Sequence, residues 1–122
     1  MPRDKQLSQF SKLMKRFAQT MQEAIALANI PPWKAVFVDI RSAQDGSYRD
    51  AKMRAILDDG TWASVKTTNA MNEVEYLIFQ AKDDVFSPPW YGLRIEIIPS
   101  GECSVDYNYD PLCCEDESFY AD

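Results

Sequence analysis

The chain has 122 residues, 46% of them hydrophobic and 26% charged, with a net charge of −6 and no histidine. That length and apolar share suit one domain with one packed core, since domains run to roughly 100–200 residues. No window approaches the ~18 consecutive apolar residues of a membrane span, and the start Met1-Pro2-Arg3-Asp4-Lys5 lacks the apolar stretch of a secretion signal, so a cytoplasmic protein is expected.

The first predicted element is a helix. Leu7, Phe10, Leu13, Met14, Phe17, Met21, Ala24, Ile25 and Ala28 recur at three- and four-residue spacing and draw one apolar stripe. Lys12, Lys15 and Arg16 fall on the opposite side, which reads as a core-facing helix in preference to a membrane-surface one. Asn29 and Pro31-Pro32 end it, because the residue before a proline is pushed out of the α region.

Three strands follow. Trp33 to Ile40 is rich in aromatic and β-branched residues, and Gln44-Asp45-Gly46-Ser47 marks a turn. Tyr48 to Leu57 alternates, with Ala51, Met53, Ala55 and Leu57 on one face and Lys52 and Arg54 on the other. Asp58-Asp59-Gly60-Thr61 is a hairpin signal, and Trp62 to Lys66 returns as the third strand of an antiparallel meander. Thr67, Thr68 or Asn69 then caps a second helix with Ala70, Met71, Val74, Leu77, Ile78 and Ala81 as its buried stripe.

The clearest pattern comes last. Trp90 to Ile98 puts Leu93, Ile95 and Ile97 on one face and Arg94 and Glu96 on the other. Pro99-Ser100-Gly101 makes the turn, and Glu102 to Tyr109 answers with Cys103, Val105, Tyr107 and Tyr109 inward. Ser104, Asp106, Asn108 and Asp110 alternate with them, as in a sheet with one wet face. The predicted architecture is an N-terminal helix, a three-stranded antiparallel meander, a second helix and a C-terminal β-hairpin, with the helices packed on one face of the sheet. Residues 1–122 form a single domain, and the acidic tail 112–122 either docks through Phe119 and Tyr120 or stays loose.

Charge is unevenly spread. Residues 1–66 hold 11 basic and 7 acidic side chains, whereas residues 67–122 hold 2 basic and 12 acidic ones. From Glu102 onward there are seven acids and no cation, a distribution that repels nucleic acid and anionic membranes and steers basic partners toward it.

Catalytic patterns are scarce. Without histidine the commonest general base is missing, and there is no phosphate-binding glycine loop, nucleophile elbow or zinc-binding helix motif. Asp58-Asp59 reads as a turn. The three cysteines, Cys103, Cys113 and Cys114, lack metal-site spacing, and two of them neighbour Glu115, Asp116 and Glu117, which disfavours a reactive thiolate. A non-enzymatic protein without cofactor or metal is expected.

The segment from Trp90 through Gly101 to Asp106-Tyr107-Asn108-Tyr109-Asp110 resembles the C-terminal hairpin of the YezG-like immunity (antitoxin) family. Its pattern is a tryptophan opening one strand, a glycine turn, and a closing strand of the form acid-aromatic-x-Tyr-acid. The order of the earlier elements is similar as well, while the Cys113-Cys114 pair and the long acidic tail lie outside the pattern. The resemblance implies a protein made beside a bacterial toxin of contact-dependent competition, often a nuclease, which it binds and holds inactive. On charge logic the partner-binding residues are Asp106, Asp110, Glu115, Asp116 and Glu117, with Tyr109 or Tyr120 as aromatic anchor. A non-inhibitory adaptor or secretion chaperone for a client protein is the competing expectation.

Overall fold

The computed structural model describes residues 2–116 and residue 119. Its elements in chain order are α1 (Pro2–Ala28), β1 (Trp33–Ser42), β2 (Arg49–Leu57), β3 (Trp62–Ser64), α2 (Asn69–Val85), β4 (Gly92–Ile97), β5 (Cys103–Asn108) and a single 3₁₀ turn, η1 (Cys113–Glu115). This is an α+β domain with two long helices and five antiparallel strands. No helix among the described residues is long and apolar enough to cross a membrane.

The expected meander and hairpin are not separate units. They join in one sheet of order β3-β2-β1-β4-β5, because β1 pairs with β2 on one side and with β4 on the other. Register explains the join. Val36, Val38 and Ile40 of β1 lie opposite Ala55, Met53 and Ala51 on one side and Ile97, Ile95 and Leu93 on the other. One continuous apolar surface results, and Phe17, Met21, Met71 and Ile78 of the two helices close over it. Burying each such side chain contributes about 1.5–3 kcal/mol before entropy is counted.

Local chemistry sets the element ends. Asn29 takes a left-handed φ of 49° and stops α1 just before the two prolines. Thr68 caps α2, its hydroxyl accepting from the Met71 N–H at 3.2 Å. Gly101 turns the β4–β5 hairpin at φ 94°, a conformation that a side chain would strain.

Three expectations need correction. Leu7 is 51% exposed, and Ala28 is exposed too. Both keep the right face, but a helix of 27 residues spans ~40 Å and overhangs the sheet at its ends. On α2 the buried line runs through Met71, Val74, Glu75, Ile78, Lys82 and Val85, while Leu77 is 38% exposed and Ala70 is exposed. Two charged residues, Glu75 and Lys82, therefore share the buried face of α2 with part of the expected apolar stripe.

The third correction concerns β5. Its alternation is as expected, with Cys103, Val105 and Tyr107 opposite Ile97, Ile95 and Leu93. Only Tyr107 is covered, by Phe86 and Trp90 at 5.2 and 4.8 Å between ring centroids. Cys103 and Val105 remain exposed, and Tyr109 is 52% exposed beyond the strand end. As the outermost strand, β5 lies past the reach of the helix layer.

Candidate functional site

The helices leave one face of the sheet open, and its side chains line up in rows set by strand register. Lys52, Asp39, Arg94 and Asp106 form one row across β2, β1, β4 and β5. Signs alternate along it, and Arg94 Nε lies 3.8 Å from Asp39 Oδ1. The next row holds Ser64, Arg54, Phe37, Glu96 and Ser104, with the Ser104 hydroxyl donating to Glu96 at 3.3 Å.

Over this second row runs a stack of cations and rings. The Arg54 guanidinium sits 4.9 Å from the Trp62 ring, Trp62 lies 5.8 Å from Phe37, and Arg94 packs 4.5 Å from Phe37 on the far side. Each cation–ring contact at a solvated site contributes about 0.5–1 kcal/mol. The stack also keeps a half-exposed Trp62 in a fixed orientation.

The C-terminal segment folds back across the other end of this face. Arg41 Nη1 donates to the Cys113 carbonyl at 2.9 Å and to Asp116 Oδ2 at 3.3 Å. Its guanidinium also lies 4.7 Å from the Phe119 ring, and Lys52 Nζ donates to the Phe119 carbonyl at 2.8 Å. Phe119 is thereby buried, so docking through Phe119 is the outcome for the described part of the tail. Gly92 permits the close approach of these layers: a Cβ there would lie 2.8 Å from Asn108 Cβ and 3.4 Å from Cys113 Sγ.

Across β1, β4 and β5 lies an open cleft of about 360 Å³, lined among others by Asp39, Arg41, Arg94, Asp106 and Tyr109. Asp106 and Tyr109 are thus brought together at the β5 side of the cleft. Asp110 is exposed, and its carboxylate accepts from the Leu112 N–H at 2.9 Å, turning the chain into η1. Glu115 is exposed on a neighbouring depression with Gln44, Ser47 and Leu112. Asp116 is committed to Arg41, which makes it part of the strap's fastening. Glu117 and Tyr120 lie outside the described residues.

Two of the thiols, Cys103 and Cys113, are shifted away from the thiolate form. Burial pushes the Cys113 thiol up, outweighing the nearby Arg41 cation, and burial likewise raises Cys103. Among the described residues no group of three or more Asp, Glu, Cys or His side chains is placed to hold a metal.

Two paired charges beneath the helix layer escaped the sequence reading. Glu75 is buried and accepts from Arg49 Nε; desolvation raises its pKa despite that partner. Lys82 is buried with its ammonium on Asp83 at 2.8 Å and 5.3 and 5.1 Å from the Trp90 and Tyr91 rings. The burial of neither charge announces itself in one dimension: Arg49 reaches Glu75 across the β2–α2 contact, and the Trp90 and Tyr91 rings reach Lys82 from the segment before β4. The Arg54–Trp62–Phe37–Arg94 stack was equally hidden, although period-two placement of Phe37 and Arg94 on the open face was a usable signal.

No protein-family model matches the chain, and no curated protein matches it in sequence.

Proposed function

We propose that this protein is an immunity protein, which binds a cognate bacterial toxin by direct contact and keeps it inactive in the cytoplasm of the cell that makes both. It acts as a monomer that forms a 1:1 complex and catalyses no reaction. The observation that carries this reading is the charged, uncovered β5 end of the sheet. Asp106 and Asp110 are exposed there beside the half-exposed Tyr109, with Glu115 exposed on the neighbouring depression, in the half of the chain with 12 acids and 2 cations.

Acids around an aromatic anchor are the arrangement that captures basic protein surfaces: the charges speed encounter and the ring supplies buried area. A nuclease fits as the toxin because an active site that holds phosphate is basic. The resemblance of the β4–β5 hairpin to the YezG-like pattern supports the same reading.

The test is co-expression. The neighbouring reading frame is expressed in a host with and without this protein, and surviving colonies are counted. Death without it and survival with it is the expected result. Survival in both cases would overturn the immunity reading and favour a non-inhibitory adaptor or secretion chaperone.

A further inference from the structure

We infer that β5 is a docking edge: a basic, extended segment of the partner adds to the sheet there as a sixth strand. The inference rests on the protein-binding reading above and specifies how the contact is made.

The two edges of this sheet are treated differently. On one side β3 is only three residues long, which blunts that edge as short strands do. On the other, β5 is six residues long, contains no proline or lysine, and pairs with β4 from Gly92↔Asn108 to Ile97↔Cys103 without a bulge. A regular, unprotected edge of this kind invites another strand.

The backbone is turned the right way. Ile98 N–H donates to the Glu102 carbonyl at 3.1 Å, so by antiparallel alternation residues 104 and 106 direct their amides toward β4. Cys103, Val105 and Tyr107 then direct theirs outward. These are also the residues on the helix-side face, where Cys103 is exposed and Val105 is 37% exposed. An added strand would pair these amides and cover Val105 with its own apolar side chains.

Charge selects the occupant. The open face of β5 and its flanks carries Glu102, Ser104, Asp106, Asn108 and Asp110, with acids at every fourth residue and no cation. An incoming strand with lysine or arginine on that face and apolar residues on the other meets opposite charges across the ladder, and each such cross-strand pair is favourable. A second copy of this chain brings no cation to these acids, since β5 and its flanks hold none. In the two-fold pairing centred on Asp106, Glu102 of each copy faces Asp110 of the other and Asp106 faces itself, so every acid meets an acid.

The experiment uses the full chain and a ten-residue peptide alternating lysine with valine, compared with the same peptide carrying glutamate in place of lysine. Titration gives affinity, and amide hydrogen exchange locates the contact. The lysine peptide is expected to bind at least tenfold tighter and to slow exchange at Cys103, Val105 and Tyr107. Val105→Pro removes an outward donor while leaving the β4 ladder intact and is expected to abolish the difference. If that variant does not fold, Asp106→Lys decides, since it leaves the backbone unchanged and, with Glu102 and Asp110 still in place, should cut the preference for the lysine peptide severalfold, an undiminished preference overturning the inference. Equal binding of the two peptides, protection centred on Phe37 and Trp62, or a concentration-dependent dimer hiding the β5 amides would each overturn the inference. No toxin enters these arms, so loss of neutralisation with peptide binding intact would sink the immunity reading alone, and neutralisation that survives Val105→Pro would sink the edge alone.

Discussion

Replacing Trp90 separates packing from hydrogen bonding in the core of this domain. The ring is fully buried, with Phe10, Phe79, Phe86 and Tyr107 at centroid distances of 6.3, 5.4, 5.6 and 4.8 Å. Its Nε1 has no hydrogen-bond partner among the described residues. Trp90→Ala deletes a cluster centre and should cost about 3–5 kcal/mol, much of the 5–15 kcal/mol typical of a whole domain. At roughly 4 °C per kcal/mol for a chain of this size, melting should fall by about 15 °C. Trp90→Phe keeps a ring against the same four neighbours. It leaves a small cavity and weakens the Lys82 contact, but it also removes a buried donor whose desolvation costs about 1–3 kcal/mol. These effects nearly cancel, for a net loss of about 1 kcal/mol. Urea unfolding followed by far-ultraviolet circular dichroism measures both variants. A phenylalanine variant as unstable as the alanine one, or an alanine variant within 1 kcal/mol of the parent, would refute the reasoning.

Other changes test the features that shape the site. Gly92→Ala forces a Cβ to 2.8 Å from Asn108 Cβ, so it should cost about 1–3 kcal/mol; thermal melts should show partial rescue by Asn108→Gly, which removes the opposing atom. Arg41→Ala removes the Cys113 hydrogen bond, the Asp116 pair and the Phe119 contact together. With Asp116 half exposed the ion pair adds little, so global stability should fall by only about 1–2 kcal/mol, while limited proteolysis should cut the segment after Pro111 several times faster. Glu75 has a folded pKa raised above its ordinary 4.5, with burial the largest cause and Arg49 opposing it. A raised pKa contributes stability that is present below the ordinary value and lost as pH rises through the folded one. The stability difference between parent and Glu75→Gln, measured by urea unfolding from about pH 4 to about pH 7, should therefore shift against the parent as pH rises; a flat difference would contradict the burial argument.

Much of the framework was legible because it obeys a period. The stripe from Phe10 to Ile25 and the alternation from Leu93 to Tyr107 each declare an element and a buried face. What period cannot convey is how far a cover extends. Val105 and Tyr109 have the pattern of core residues and end up exposed, because β5 is at the edge and the helices close over the inner strands. Conversely, Glu75 and Lys82 have the chemistry of surface residues and end up buried, because Arg49 and two aromatic rings meet them there. For the site, the acids were visible as composition, but their separate duties were not. Asp116 fastens the strap, Asp110 turns the chain, and Asp106 looks out from the edge strand.

The most direct test of the central claim is the association of this protein with the purified product of the neighbouring reading frame, followed by stopped flow at increasing salt. The account predicts a 1:1 complex with nanomolar or tighter affinity, an association rate that falls steeply as salt rises, and a slower rate for Asp106→Lys at low salt. An absence of complex, or an association rate indifferent both to salt and to that charge reversal, would contradict it.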